Sequence, residues 1–156
     1  MNLKEVFGLL NEYKKVLSQL NRFSQIMKKE PRDSQCFIDA SSRSDQLIYG
    51  HLLPQDYGII VQGLHRRLIN KDFAKVIVAF RHNQSVAGAL NLPASVSMTL
   101  ELRLYQRKTG LSQSAFAKRY HIGQSQLSKM ESGHQMVDVD FFQRILRSLN
   151  QKFVIA

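Results

Sequence analysis

The stretch T-G-L-S-Q-S-A-F-A-K-R-Y-H-I-G-Q-S-Q-L-S-K-M-E-S-G, Thr109 to Gly133, decides the fold. The Ser112 hydroxyl can accept from the first free amides of a helix, so one starts at Gln113 and runs to about Tyr120. His121-Ile122-Gly123 breaks the pattern. A second helix fits Gln124 to Glu131, with Gly133 ending it in the left-handed conformation. Leu111, Phe116, Ala117, Ile122, Leu127 and Met130 form an apolar set. Gln113, Lys118, Arg119, Gln124, Ser125, Ser128 and Lys129 are left facing outward. Amides and hydroxyls of this kind match base edges in a DNA major groove, and the cations hold phosphates.

The stretch resembles the helix-turn-helix of the lambda-repressor-like family, also called the Cro or xenobiotic-response-element (XRE) family. The matching positions are Gly110-Leu111-Ser112-Gln113, Phe116-Ala117, Ile122, Gln124-Ser125, Leu127-Ser128 and Glu131-Ser132-Gly133. The likeness extends from about Ser97 to Asn150. It implies that the helix Gln124–Glu131 lies in the major groove, with Gln124 and Ser125 reading bases and Ser128 and Lys129 reading or flanking the next ones. Gln113 would bond a phosphate and brace Gln124. Arg103, Arg107, Lys118, Arg119 and His134 would meet phosphates, and Glu131 would be structural. Two positions depart from the family pattern. His121 stands where members carry a turn glycine, and His tolerates positive φ less well than Gly. Gln106 stands where many members carry an Arg paired with the glutamate, so a Gln106–Glu131 hydrogen bond is expected instead.

Charge supports a polyanionic partner. The 156 residues carry a net charge of +10 and a pI near 10.0, with an ordinary hydrophobic fraction of 44%. Nine Lys/Arg stand against four Asp/Glu from Ser95 onward, and thirteen against eight before it, so each part contributes +5. Excess positive charge favours nucleic acid through counterion release. The single cysteine, Cys36, excludes a disulfide within the chain and is expected to be a buried small hydrophobe. No apolar run reaches the roughly 20 residues needed to cross a bilayer. The charged N-terminal stretch is no signal peptide, so a cytoplasmic protein, nucleoid-associated when on DNA, is expected.

The expected fold is mainly α, with a helical N-terminal region over residues 1–94 and the DNA-binding domain over 95–156. Residues 3 to 28 read as one amphipathic helix. Leu3, Val6, Leu10, Tyr13, Leu17, Leu20 and Met27 fall at alternating three- and four-residue steps, with Ser24 the one miss. Such a helix packs on its own domain or forms a seam for a second subunit. Pro31 ends it. Gln35 to Ala40 reads as a short strand or buried turn, followed by a polar link and a short helix through Tyr49. Further helices fit Gln55 to Ile69 and Asp72 to about Leu90, although Val76 to Phe80 is also consistent with a buried strand. His65-Arg66-Arg67 is a basic cluster on a helix, a solvated face or else a contact to phosphate or to an acidic partner. Asn91-Leu92-Pro93 marks the boundary.

The C-terminal module then begins with a helix from about Met98 to Lys108, Leu100, Leu104 and Tyr105 facing inward. After the two motif helices, Asp138 caps a fourth, Val139 to Leu149. Lys152 to Ala156 has strand propensity. Phe141 to Ile155 is similar to the end of HipB-type antitoxins, in which the tail strand pairs with its twin in a dimer.

These readings point to a sequence-specific DNA-binding transcriptional regulator, a repressor, working as a homodimer on a palindromic operator with half-sites about one helical turn apart. One version is the autorepressing antitoxin of a type II toxin–antitoxin operon, whose first 94 residues hold the toxin protein. The alternatives are an adaptor or coactivator-type interaction protein and a ligand-sensing regulator. The five histidines show no metal-ligand spacing, and no phosphate loop, nucleophile elbow or carboxylate pair stands out. No catalytic role, metal, cofactor or membrane partner is therefore expected.

Overall fold

The computed structural model describes residues 1–148, and within them the chain is mainly helical. α1 spans Leu3–Lys29, α2 Gln35–Tyr49, α3 Pro54–Leu64, α4 Asn70–Arg81, α5 Val86–Ala89, α6 Ala94–Lys108, α7 Gln113–Arg119, α8 Gln124–Glu131 and α9 Val139–Ser148. The expected terminal strand lies outside the described residues.

α1 starts on a reciprocal cap. The Asn2 side chain accepts from the Glu5 amide at 2.9 Å, and the Glu5 carboxylate accepts from the Asn2 amide at 2.8 Å. Val16 and Leu20 are buried against Ala74, Ile77 and Val78 of α4, with Leu47 and Ile48 of α2 joining the cluster. Asn70 donates to Asn21 and Ser24, while Arg81 donates to Glu12, so α4 runs antiparallel along the middle of α1. The first turns of α1 keep Leu3, Val6, Phe7 and Leu10 exposed. The apolar stripe read from the sequence is thus divided between a packed stretch and a solvent-facing one.

Several expectations are corrected. Gln35 to Ala40 is neither strand nor turn but the start of α2, whose first free amides are met by Ser34, the Phe37 N–H donating to its hydroxyl at 3.2 Å. The polar run Ser41 to Ser44 continues that helix because Ala40 and Ser44, one turn apart, are both buried. Tertiary burial outweighs the weak helix propensity of serine. Cys36 is exposed, because it sits on the outer side of the first turn of α2. α3 stops at His65, which has φ +53, so Arg66 and Arg67 lie on a loop. There Arg66 grips Asp72 at 2.6 and 2.9 Å. The helix expected from Asp72 to Leu90 breaks after Arg81, where Asn83 takes φ +53, and resumes as the short α5. Val76 to Phe80 is helical throughout.

α6 is the hinge of the packing. Its leucines alternate, Leu100, Leu102 and Leu104, and on a helix a two-residue step turns about 200°. Leu100 and Leu104 enter a cluster with Leu52, Tyr57, Ile60, Val76, Ala79, Val86, Ala87, Leu90 and Leu92. Met98 and Leu102 enter a second cluster with Phe116, Ala117, Tyr120, Leu127, Met130, Val137, Phe141, Phe142 and Ile145. The expectation that Leu100 and Leu104 face the C-terminal bundle is therefore overturned. They point to the helices before it, and only Tyr105 of the expected three packs on the bundle side.

Candidate nucleic-acid interface

α7, the turn and α8 form a unit whose buried apolar residues enter one cluster. Ser112 caps α7, the Ala115 N–H donating to its hydroxyl at 3.1 Å. The Tyr120 amide bonds Phe116 and the Ile122 amide reaches back to Ala117, closing the helix, while His121 takes φ +54. The chain thus makes its turn with a histidine in the left-handed region. α8 leaves Gly123 in extended geometry and ends before Gly133 at φ +77, as expected. Phe116, Leu127 and Met130 are fully buried, and Leu111 and Ile122 pack on the same cluster. Burying a side chain of this size is worth about 1.5–3 kcal/mol, so three of them hold the two short helices in one relative orientation. Asp138 accepts from the Phe141 amide at 2.8 Å and starts α9, which closes the bundle.

The side of α8 turned away from that cluster exposes Gln124, Ser125, Ser128 and Lys129 together, with Gln126 beside them. Gln126 has the same amide chemistry as Gln124 and the 3.6-residue period could have flagged it. Lys118 and Arg119 are exposed on α7, the Arg119 guanidinium resting 5.9 Å from the centre of the Tyr120 ring. His134 is exposed beyond α8, its Nδ1 2.7 Å from the Ser132 hydroxyl. Between Gly110 and Val137 the chain contains one carboxylate, Glu131, and it is buried. The outward surface of this unit is therefore amide, hydroxyl and cation without a negative side chain.

Other expected partners are arranged differently. Gln113 does not reach Gln124. Its amide donates to Glu131 Oε2 at 2.7 Å. Gln106 does not bond Glu131 either, because its amide donates to the Leu111 carbonyl at 2.5 Å and so fastens the loop before α7. Glu131 Oε1 is buried without a hydrogen-bond partner, and burial raises the carboxyl above the ordinary glutamate range, opposed by Gln113 and the nearby Arg103 and Arg107.

Arg103 and Arg107, expected to meet phosphates, are both held by Asp56 of α3, whose side chain is fully buried. Arg103 Nε donates to Asp56 Oδ1 at 2.8 Å and Arg107 donates to Oδ2, which also accepts from the Leu53 amide at 2.8 Å. The Arg103 fork continues to the Gln55 side chain and to the Glu131 carbonyl, each at 3.2 Å. Asp56 lies 47 residues before Arg103, and no local pattern in the sequence signals the pairing. Among the described residues no group of metal-ligating side chains comes together, and no helix is long and apolar enough to cross a membrane.

Residues 101–154, roughly a third of the chain, match a family model described as helix-turn-helix. No curated protein and no solved structure matches the chain.

Proposed function

We propose that this protein is a sequence-specific repressor that binds a palindromic operator as a homodimer, on the premise that residues 101–154, which match the helix-turn-helix family model, are a DNA-binding domain of the XRE, lambda-repressor-like kind. The observation that carries this reading is the outward surface of α7 and α8, which bears Gln124, Ser125, Ser128, Lys129, Lys118 and Arg119 and no carboxylate. α8 is the recognition helix. Gln124 and Ser125 at its N-terminal end read bases, Gln124 by pairing its amide with an adenine edge, and Ser128 and Lys129 read or flank the next positions. Lys118, Arg119 and His134 contact phosphates and set register. Gln113 and Glu131 brace the helices against each other, and Gln106 fastens the loop before them. Arg103 and Arg107 stay on Asp56 in this scheme.

One module of this size reads few base pairs, and a two-fold pair reads a palindrome. The exposed Leu3, Val6, Phe7 and Leu10 of α1 supply an apolar seam for the second copy. The region before α6 serves dimerisation or partner binding, and the protein works in the cytoplasm, on the nucleoid when DNA-bound. The same α1 surface supports the narrower reading of an antitoxin holding a toxin protein, which copurification of a second chain from the native operon would favour. The test of the main reading is a binding titration on DNA from upstream of the gene, at two salt concentrations. The expected result is a protected palindrome whose recognition survives moderate salt. Gln124→Ala should cost about 1–3 kcal/mol on that site and relax preference at one base pair. Diffuse protection that salt abolishes, for both proteins alike, would remove sequence reading from this surface.

A further inference from the structure

The four last carbonyls of α8 are all met, and the way the final one is met reaches outside the helix-turn-helix segment. Ser128 accepts from the Ser132 amide, Lys129 from the Gln135 amide and Met130 from the Gly133 amide. Glu131 accepts from Arg103. A helix end buried without such a partner carries an uncompensated carbonyl, and Glu131 is only 7% exposed. The cation at this end is also the sign that the helix dipole favours.

Arg103 can take that position because its other edge is fixed. The guanidinium is a rigid planar fork, so anchoring Nε on a buried carboxylate aims the remaining donors. Asp56 is that anchor. It accepts from Arg103, from Arg107 and from the Leu53 amide, which leaves the buried carboxylate fully engaged. Asp56, the two arginines and the Glu131 carbonyl thus form one linked group joining α3, α6 and α8.

We propose that Asp56 is a positioning residue for the recognition helix, acting through Arg103 on the C-terminal end of α8, so that the helices before the DNA-binding segment set how well it discriminates its site. The proposal rests on α8 being the recognition helix. Asp56→Asn keeps the shape and removes the charge that holds both arginines. The arginines are then free to turn to Glu131 Oε1 or to phosphate. Specific affinity falls about tenfold, as for one charge-assisted hydrogen bond lost, while non-specific affinity at the same salt holds or rises with the added positive charge. Their ratio collapses. A merely weakened fold lowers both affinities together and leaves the ratio unchanged.

The experiment measures both affinities for the full chain with Asp56→Asn, Arg103→Lys, the double variant, and Asp45→Asn. Arg103→Lys keeps the charge and loses the fork, so its ratio should also collapse, with the double variant no worse than the poorer single. Asp45 is an exposed carboxylate of α2, and Asp45→Asn controls for net charge. Its ratio should stay at the wild-type value. Additive losses, or a ratio preserved in Asp56→Asn, would overturn the proposal. Amide exchange on the free protein tests it without DNA. In Asp56→Asn the Ser132, Gly133 and Gln135 amides should lose about tenfold in protection while the Tyr120 amide of α7 does not. Equal loss at all four, or none, would overturn it. Should even the wild-type protein discriminate no site, the exchange result still decides the coupling, and only the DNA reading falls.

Discussion

Two glycines on α3 predict opposite results from the same substitution. Gly58 is exposed, and a Cβ built on it meets nothing within 4 Å. Gly58→Ala should therefore realise the ordinary helix-interior gain of about 0.5–1 kcal/mol. Gly63 is buried, and its Cβ would stand 2.8 Å from Val96 Cγ1 and 3.3 Å from Val96 Cβ and Cγ2. Val96 lies in the first turn of α6, and a β-branched side chain in a helix has essentially one favourable χ1, so it cannot turn aside cheaply. The helices must part instead. Overpacking of this kind costs about 1–3 kcal/mol, which exceeds the propensity gain, most of all near the end of a helix where that gain is small. Gly63→Ala should destabilise by about 1–2 kcal/mol net. Val96→Ala vacates the space, so the double variant should recover most of that loss, with a favourable coupling of about 1 kcal/mol or more. Urea unfolding of the wild type, both glycine variants, Val96→Ala and Gly63→Ala/Val96→Ala measures every term. If Gly63→Ala stabilises as Gly58→Ala does, or the double variant shows no coupling, the close approach of α3 and α6 is not what the glycine serves.

The remaining predictions concern acid and the turn. The Glu12 carboxyl is lowered first of all by its hydrogen bond to His82, with Arg81 adding to it, and Asp72 is lowered first of all by Arg66. Depressed carboxylates contribute stability that is complete above the ordinary carboxylate range and lost as pH falls through the depressed values. Glu131 is raised by burial and works the other way, giving stability present at low pH and lost as pH rises through its folded value. Glu12→Gln should consequently flatten the acid limb of stability against pH, and identical limbs in urea titrations from neutral to acid pH would contradict it. At the turn, His121 holds φ +54 at a cost of about 1–2 kcal/mol, while glycine adds about 0.4–1 kcal/mol of unfolded-state entropy. His121→Gly should stabilise by up to about 1 kcal/mol on thermal or urea unfolding. A net loss would mean that the imidazole makes a contribution the backbone account omits.

The helix-turn-helix was legible because its signals are local. Ser112, the apolar spacing of Phe116, Ala117, Leu127 and Met130, and Gly133 each act within a turn or two of chain, and the observed helices begin and end where these residues put them. The exposure of Gln124, Ser125, Ser128 and Lys129 follows from the same period. Part of what failed depended on burial or partners elsewhere in the chain. The serine-rich part of α2 is helical because Ala40 and Ser44 meet burial. The break after Arg81 rests on Asn83 entering the left-handed region, which asparagine does more readily than most residues but does not announce. Gln113 and Gln106 take partners other than those that the family resemblance implies: Gln106 bonds the Leu111 carbonyl, and Gln113 stands beside Glu131.

The alternating leucines of α6 account for the two arginines that do not face outward. A helix serving only the C-terminal bundle would keep its apolar residues on one stripe. Leu100, Leu102 and Leu104 instead give it two, and the polar positions between them include Arg103 and Arg107, which must then lie where α3 approaches. Both arginines require a carboxylate there, and Asp56 supplies it from full burial. Val96 requires room at the other end of the same contact, and Gly63 supplies that. A segment cut at the start of the family match would lack Leu100, uncover Leu104 and leave two arginines without their anion. The loose arginines would then add phosphate affinity indiscriminately, while the Glu131 carbonyl lost its donor. The C-terminal end of α8 is thus tied, through Arg103, to a carboxylate that lies outside the matched segment.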